Sequence, residues 1–254
     1  MPPRFHIDTA LQAGAELELP SGAVRHVQVL RLQAGAAITL FDGRGGEWSA
    51  GVVRMGRSEV LVRVEAFHSV ERELLPPVTL ALGMPANERM DGLVEKATEL
   101  GAVTIQPLLC ERSVLRLTGE RALKKVAHWQ AVAVAACEQC GRTRVPTVAP
   151  VRPLLDWLAQ APASDGGPPC ARFVLSTRAS LPVALALAAH FTGIVCLSGP
   201  EGGLTQAEEH AAELRGFIPI TLGPRTLRAD TAPLALLAHL SLYSAGAEPG
   251  KGPG

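Results

Sequence analysis

The sequence predicts an α/β protein in two parts: a β-rich module over residues 1–72 and a larger region over 78–244 built on a parallel sheet. Three observations carry this expectation. Up to Phe67 the apolar residues come in short runs broken by turn residues, which reads as strands. From Val78 onward, short apolar runs alternate with helical patterns. That is the rhythm of βαβ units, whose strands pair in parallel with helices on both faces. Two of the later strands then run into glycine-rich turns, where open α/β sheets bind ligands.

In the first part, residues 26–32 fit a short helix, and Ala37–Phe41 is an apolar strand. It stops at Asp42-Gly43-Arg44-Gly45-Gly46, a strong turn signal. Residues 47–55 and 58–67 follow as strands. In the second, Val60, Val62 and Val64 alternate with Leu61, Arg63 and Glu65, a half-buried pattern. Glu71, Arg72, Glu73 and Pro76-Pro77 mark a linker over 73–77.

Residues 78–82 open the second part as a strand. Asn87 is expected to cap a helix whose Met90, Leu93, Val94, Ala97 and Leu100 share one face and which Gly101 ends. A strand over 103–109 follows, then a long helix over 119–140, a short helix over 153–159 and a loop over 164–169. Strands over 173–176 and 194–198 enclose an Ala/Leu-rich helix. A short strand over 218–221 precedes a helix over 230–243 that is apolar on more than one face. The Gly/Pro-rich tail over 245–254 is expected to be disordered.

Composition narrows the function classes. The 254 residues include 47% hydrophobic residues, enough to bury a sizeable core. No apolar run is long enough to span a bilayer, and Met1-Pro2-Pro3-Arg4-Phe5 is no secretory leader, so a cytoplasmic, non-membrane protein is expected. Lys plus Arg equals Asp plus Glu, at 24 each, which is unusual for a protein that grips nucleic acid by its phosphates. Two basic clusters nevertheless stand out: Arg112, Arg116, Arg121, Lys124 and Lys125, and Arg142, Arg144 and Arg152. Each taken alone fits a solvated helix face. Five cysteines make an odd count, which speaks against a disulfide framework. The Cys137-Glu138-Gln139-Cys140 pair lacks the further ligands of a zinc site. It also ends a helix instead of starting one, where the dipole disfavours thiolate. Structural cysteines and no metal are expected.

Two segments carry the chemistry. The first, Leu197-Ser198-Gly199-Pro200-Glu201-Gly202-Gly203-Leu204-Thr205, follows a strand and precedes a helix that Thr205 and Glu208 can close with a capping box. It has neither dinucleotide nor P-loop spacing. Glu201 inside it would repel a phosphate but tolerates a ligand of net positive charge. A tight structural turn with Glu201 paired to an arginine fits equally. The second segment, Leu222-Gly223-Pro224-Arg225-Thr226-Leu227-Arg228-Ala229-Asp230-Thr231-Ala232, also follows a strand, and Asp230 or Thr231 can cap the helix after it. Two such turns suggest one pocket built from both. An ordinary loop with surface arginines is the alternative.

Together the two segments resemble the SPOUT superfamily, and within it the bacterial 16S ribosomal RNA uridine-N3 methyltransferase family. The similarity extends to Glu88-Arg89-Met90-Asp91 through Gly101, to Glu111-Arg112-Ser113, His128-Trp129 and Glu138-Gln139-Cys140-Gly141-Arg142, and to Arg4-Phe5 and residues 26–32. It thus covers nearly the whole chain. The chain departs from the usual pattern at Pro85-Ala86-Asn87, where a lysine is common, at Gly92, often tryptophan, and at Asp230, often glutamate.

The resemblance implies a PUA-like RNA-binding module, a trefoil-knotted methyltransferase domain and a homodimer. It implies S-adenosylmethionine as cofactor, held by Leu175, Ser198, Gly199, Pro200, Glu201, Gly202, Gly203, Leu222, Gly223, Arg225, Leu227 and Arg228. The implied partner is ribosomal RNA or the small subunit, with Arg4, Arg31, Arg112, Arg116 and Lys124 as expected RNA contacts. Methylating N3 of uridine requires loss of its proton, and an arginine stabilises the resulting negative charge. Arg142 and Arg228 are the candidates for that role, and Glu138 is either the base or the group that holds an arginine. Arg142 alternatively pairs with Glu138 or Glu201. A SPOUT enzyme acting on another RNA or base, and a non-catalytic RNA-binding relative, are the competing readings.

Overall fold

The computed structural model describes residues 2–160, 170–179, 181–187 and 191–245. The loop expected over 164–169 and the tail over 246–254 lie outside the described residues. The chain divides into two compact units. One takes the residues up to Glu73 together with Val134–Val145; the other takes Leu74–Ala133 and the residues from Pro146 on.

The first unit contains β1 (Arg4–His6), β2 (Glu16–Glu18), α1 (Ser21–Val29), β3 (Ala37–Phe41), β4 (Glu47–Met55) and β5 (Val60–His68). Among the described residues they form one sheet of order β1-β3-β4-β5-β2, antiparallel except for the parallel pair β1 and β3. Val60, Val62 and Val64 are buried on one face with Phe5, Ile38 and Leu40, while Arg63 and Glu65 face water. β1 and β2 were not expected from sequence, since three residues are too few to display a period of two. The helix expected over 26–32 instead starts at Ser21, after Pro20 at the N-cap, and stops before Arg31, whose φ of 54° is left-handed.

The second unit holds β6 (Val78–Gly83), α2 (Asn87–Glu99), β7 (Ala102–Leu109) and the first part of α3 (Gly119–Cys140). It continues with β8 (Thr147–Val148), β9 (Arg152–Pro153), α4 (Leu154–Ala159), β10 (Cys170–Leu175), α5 (Val183–Ala186), β11 (Gly193–Ser198), α6 (Gln206–Glu213), β12 (Ile218–Ile220) and α7 (Thr231–Ala245). Its sheet has the order β12-β10-β11-β6-β7-β8, with β9 beside β7, and every described pairing is parallel. Alternation along the strands builds two cores. Leu80, Leu82, Phe173 and Cys196 meet Met90 and Val94 of α2, Trp129 of α3 and Leu236 and Leu237 of α7. Ala81, Val174 and Leu197 meet Leu154 and Leu158 of α4 and Ala212 of α6 on the other face. This is the expected sheet with helices on both faces.

Asn87 does not cap α2. It is the first helical residue, and the N-cap is Ala86, which has no capping side chain. Gly101 ends the helix region as expected, at φ 97°. Gly92 is exposed with nothing within 4 Å of where a Cβ would stand, so its departure from the family pattern leaves no hole. The five cysteines are free, and burial pushes the thiols of Cys110, Cys137 and Cys196 up to about 12, which makes them unreactive. No described helix is long and apolar enough to cross a membrane.

Candidate functional site

The second unit carries a cavity of about 800 Å³ at the C-terminal ends of β10, β11 and β12, within the range of ligand pockets. Parallel strands deliver it: each ends on the same edge of the sheet, and the turn beyond becomes a wall. Leu175 to Arg178 form one wall, Ser198 to Leu204 a second, and Ile220 to Ala229 a third. All twelve residues named above as cofactor candidates, from Leu175 to Arg228, line this one cavity.

The glycine-rich turn has its shape for separable reasons. A Cβ on Gly199 would lie 2.9 Å from the backbone nitrogen of Leu204, because the turn folds back on itself. Gly203 meets nothing within 4 Å but has φ 69°, so its requirement is conformational, not spatial. Beyond the turn, Thr205 and Glu208 form the expected capping box: Glu208 N–H donates to Thr205 Oγ1 at 3.2 Å, and Thr205 N–H to Glu208 Oε2 at 2.9 Å. Glu208 Oε1 also accepts from Glu111 N–H at 2.8 Å, tying the start of α6 to the chain after β7. Glu201 lines the cavity and is also paired. It accepts from Ala86 N–H at 2.9 Å and lies 3.7 Å from Arg89. Its carboxylate thereby takes up the N–H of the N-cap residue of α2, the bond that a glutamate at the third helical position makes in a capping box. On the third wall, Gly223 sits at φ 114°, and Thr221 Oγ1 donates to its carbonyl at 3.1 Å. Asp230 Oδ1 is buried without a hydrogen-bond partner.

Several residues in or behind the walls escaped the sequence. Gly83 ends β6 where a Cβ would stand 2.6 Å from Pro200 Cδ, so only glycine lets the turn close against that strand. Its signal was a small residue at a strand's C-terminal end. Arg178 pairs with Glu209, and Ser176 Oγ donates to the same carboxylate at 3.2 Å. These partners are about thirty residues apart, with no local pattern to announce them.

The RNA candidates fare unequally. Arg31 is exposed. Lys124 is exposed and pairs with Glu120, and Arg116 donates to the Glu111 carbonyl at 3.0 Å. Arg112 lines the cavity and donates to the Gly202 carbonyl at 3.0 Å. Arg4 is a correction. Its side chain is 4% exposed, ion-paired to Glu47, bonded to the Arg142 carbonyl at 3.1 Å and set over the Phe41 ring, which leaves it no access to a phosphate.

Arg228 lines the cavity, whereas Arg142 and Glu138 belong to the first unit and are no part of the lining. Arg142 is buried and ion-paired to Glu73. Its Nε donates to Glu73 Oε1 at 3.0 Å. Glu138 accepts from His6 N–H at 2.9 Å. Arg72 donates to the Gly141 carbonyl at 2.8 Å and to Glu47 at 3.1 Å. The carbonyls that end α3 are thus held by two arginines, and both arginines are held by Glu47. Burial alone would raise the Glu47 carboxyl, but hydrogen bonds and charge from Arg4 and Arg72 bring it below the usual carboxylate range.

The chain is similar to known proteins over most of its length. The RNA methyltransferase domain matches residues 72–241, and the RNA methyltransferase PUA domain matches residues 19–65. The ribosomal RNA small subunit methyltransferase E of Synechocystis is 35% identical over 236 residues, covering 89% of this chain and 73% of that protein. The protein of the same name from Bacillus subtilis is 30% identical and 85% covered on each side. Among solved structures, a ribosomal RNA small subunit methyltransferase E from Neisseria gonorrhoeae, bound to S-adenosyl methionine, superposes with a TM-score of 0.87 at 34% identity, covering 96% of this chain and 98% of that one. A putative methyltransferase from Legionella pneumophila in complex with its bound cofactor SAM gives 0.88 at 31% identity, with the same coverage. The architecture is the SPOUT-type α/β fold preceded by a PUA-like sheet. By sequence and by fold, this chain belongs to the RNA methyltransferase family of the ribosomal RNA small subunit methyltransferase E type.

Proposed function

We propose that the protein transfers a methyl group from S-adenosylmethionine to N3 of a uridine in small-subunit ribosomal RNA. The observation that supports this most directly is the cavity. Two of its three walls are the segments in which the sequence resembles the uridine-N3 enzymes, and all three converge at strand ends. Relatives of the same architecture are solved with S-adenosylmethionine bound. Glu201 on the wall suits a cofactor of net positive charge and would disfavour a nucleotide phosphate in its place.

When bound, the cofactor supplies an activated methyl group. The rest falls to this chain's residues. The turn from Gly199 to Gly203 and the Leu222–Leu227 wall would hold the cofactor with backbone and apolar surface. Arg228, exposed on the wall and without a side-chain partner among the described residues, stabilises the negative charge that spreads to O2 and O4 as N3 gives up its proton to solvent water. Arg142 takes a positioning role, since Glu73 already occupies its guanidinium. Glu138 shares in it through His6. The PUA-like unit, with Arg31 exposed, carries the RNA, and the protein works in the cytoplasm as a homodimer.

Two experiments test this. Nucleoside analysis of small-subunit ribosomal RNA from a deletion strain should lack 3-methyluridine and regain it on complementation; an unchanged nucleoside profile would overturn the assignment. The dimer is motivated by α7, which buries Leu236, Leu237 and Leu240 yet leaves Leu242 78% exposed. Light scattering at micromolar concentration should report twice the chain mass, and a monomer would contradict it.

A further inference from the structure

The cavity carries more positive charge than the proposed cofactor can use. Arg89, Arg112, Arg178, Arg225 and Arg228 line it, against Glu201 and Glu209. Two of these arginines are matched within the chain, Arg89 by Glu201 and Arg178 by Glu209. Arg112 is held in place but not neutralised. It donates to the Gly202 carbonyl, and its stem packs where a Cβ on Gly202 would stand 3.0 Å from Arg112 Cβ. Arg225 is exposed, with no side-chain partner among the described residues.

S-adenosylmethionine has one carboxylate against an ammonium and a sulfonium. A single guanidinium can be matched by that carboxylate; further unmatched ones would repel the cofactor. They call for an anion from elsewhere. RNA brings a phosphate with every nucleotide, and the planar fork of arginine matches phosphate geometry. We propose that Arg112 and Arg225 form a phosphate subsite on the cavity wall, holding the RNA backbone next to the nucleotide to be methylated and leaving Arg228 for its base. This rests on the reading of RNA as substrate, not on which base atom receives the methyl.

The test separates RNA from cofactor. Affinity for small-subunit ribosomal RNA is measured across a potassium chloride series for the wild type, Arg112→Ala, Arg225→Ala, the double variant and Arg225→Lys. Cofactor affinity is measured by calorimetry without RNA. Each alanine variant should bind RNA more weakly. The double variant should lose about one unit of slope in log affinity against log salt, as expected for one phosphate contact. Arg225→Lys should keep most of that slope. Reduced cofactor affinity with an unchanged RNA slope would reassign Arg225 to the cofactor and overturn the subsite. Unchanged slopes throughout would also overturn it. A wild-type product other than 3-methyluridine would sink the base assignment alone and leave the slope result standing.

Discussion

Replacing Arg142 of the Arg142–Glu73 pair by alanine is expected to destabilise the first unit by about 3–5 kcal/mol. Both side chains are nearly inaccessible, at 4% and 8% exposure. Removing the guanidinium leaves the Glu73 carboxylate buried without the partner that balances it. Such a loss is a large share of the roughly 5–15 kcal/mol that holds a domain together. An internal control exists two residues away. Arg144 pairs with Glu71, but the two are 51% and 56% exposed, so Arg144→Ala should cost under about 1 kcal/mol. Replacing Arg142 and Glu73 together with apolar residues of similar volume should recover much of the loss, because no orphaned charge remains. Urea unfolding of the single and double variants measures all of this. If Arg142→Ala proves no more damaging than Arg144→Ala, the pair is not holding the segment. The result also bears on catalysis: any loss of turnover in Arg142 variants must be corrected for unfolding before it is read as chemistry.

Arg228→Ala is expected to leave folding intact and lower the single-turnover methylation rate by about 10²–10³, the usual cost of one donor aimed at developing charge. Arg228 is exposed and no described residue pairs with its side chain, so the substitution removes no internal contact. If its stabilisation is present only in the transition state, cofactor affinity should hold while turnover falls. Arg228→Lys keeps the charge but loses the planar fork, and should recover part of the rate. Measurement at saturating RNA and cofactor isolates the chemical step. An unchanged single-turnover rate would remove Arg228 from the chemistry.

Much of the site was legible because it is local. The glycine-rich turn, its capping box and the second loop each lie within a dozen residues, and strand–turn–helix order alone places such turns on one edge of a parallel sheet. The capping box is the clearest case, with donor and acceptor three residues apart. Helix starts were less legible. Asn87 looked like a cap, but the acceptor at the start of α2 comes from Glu201, more than a hundred residues away.

By itself, the sequence determined the α/β class, most strands and helices, the two turns that line the cavity and, through their resemblance to known motifs, the chemistry proposed for them. These follow from periodicity and turn residues, which act over a few positions. Only the tertiary structure decided which charges are free. Arg4 and Arg112 look alike in the sequence, yet one is buried on Glu47 and the other lines the cavity. Arg142 found its partner at Glu73, 69 positions earlier, and Gly83 met Pro200 across the sheet. The physical reason is that periodicity tells a side chain which face to take, whereas the identity of its partner depends on where the folded chain brings distant segments together.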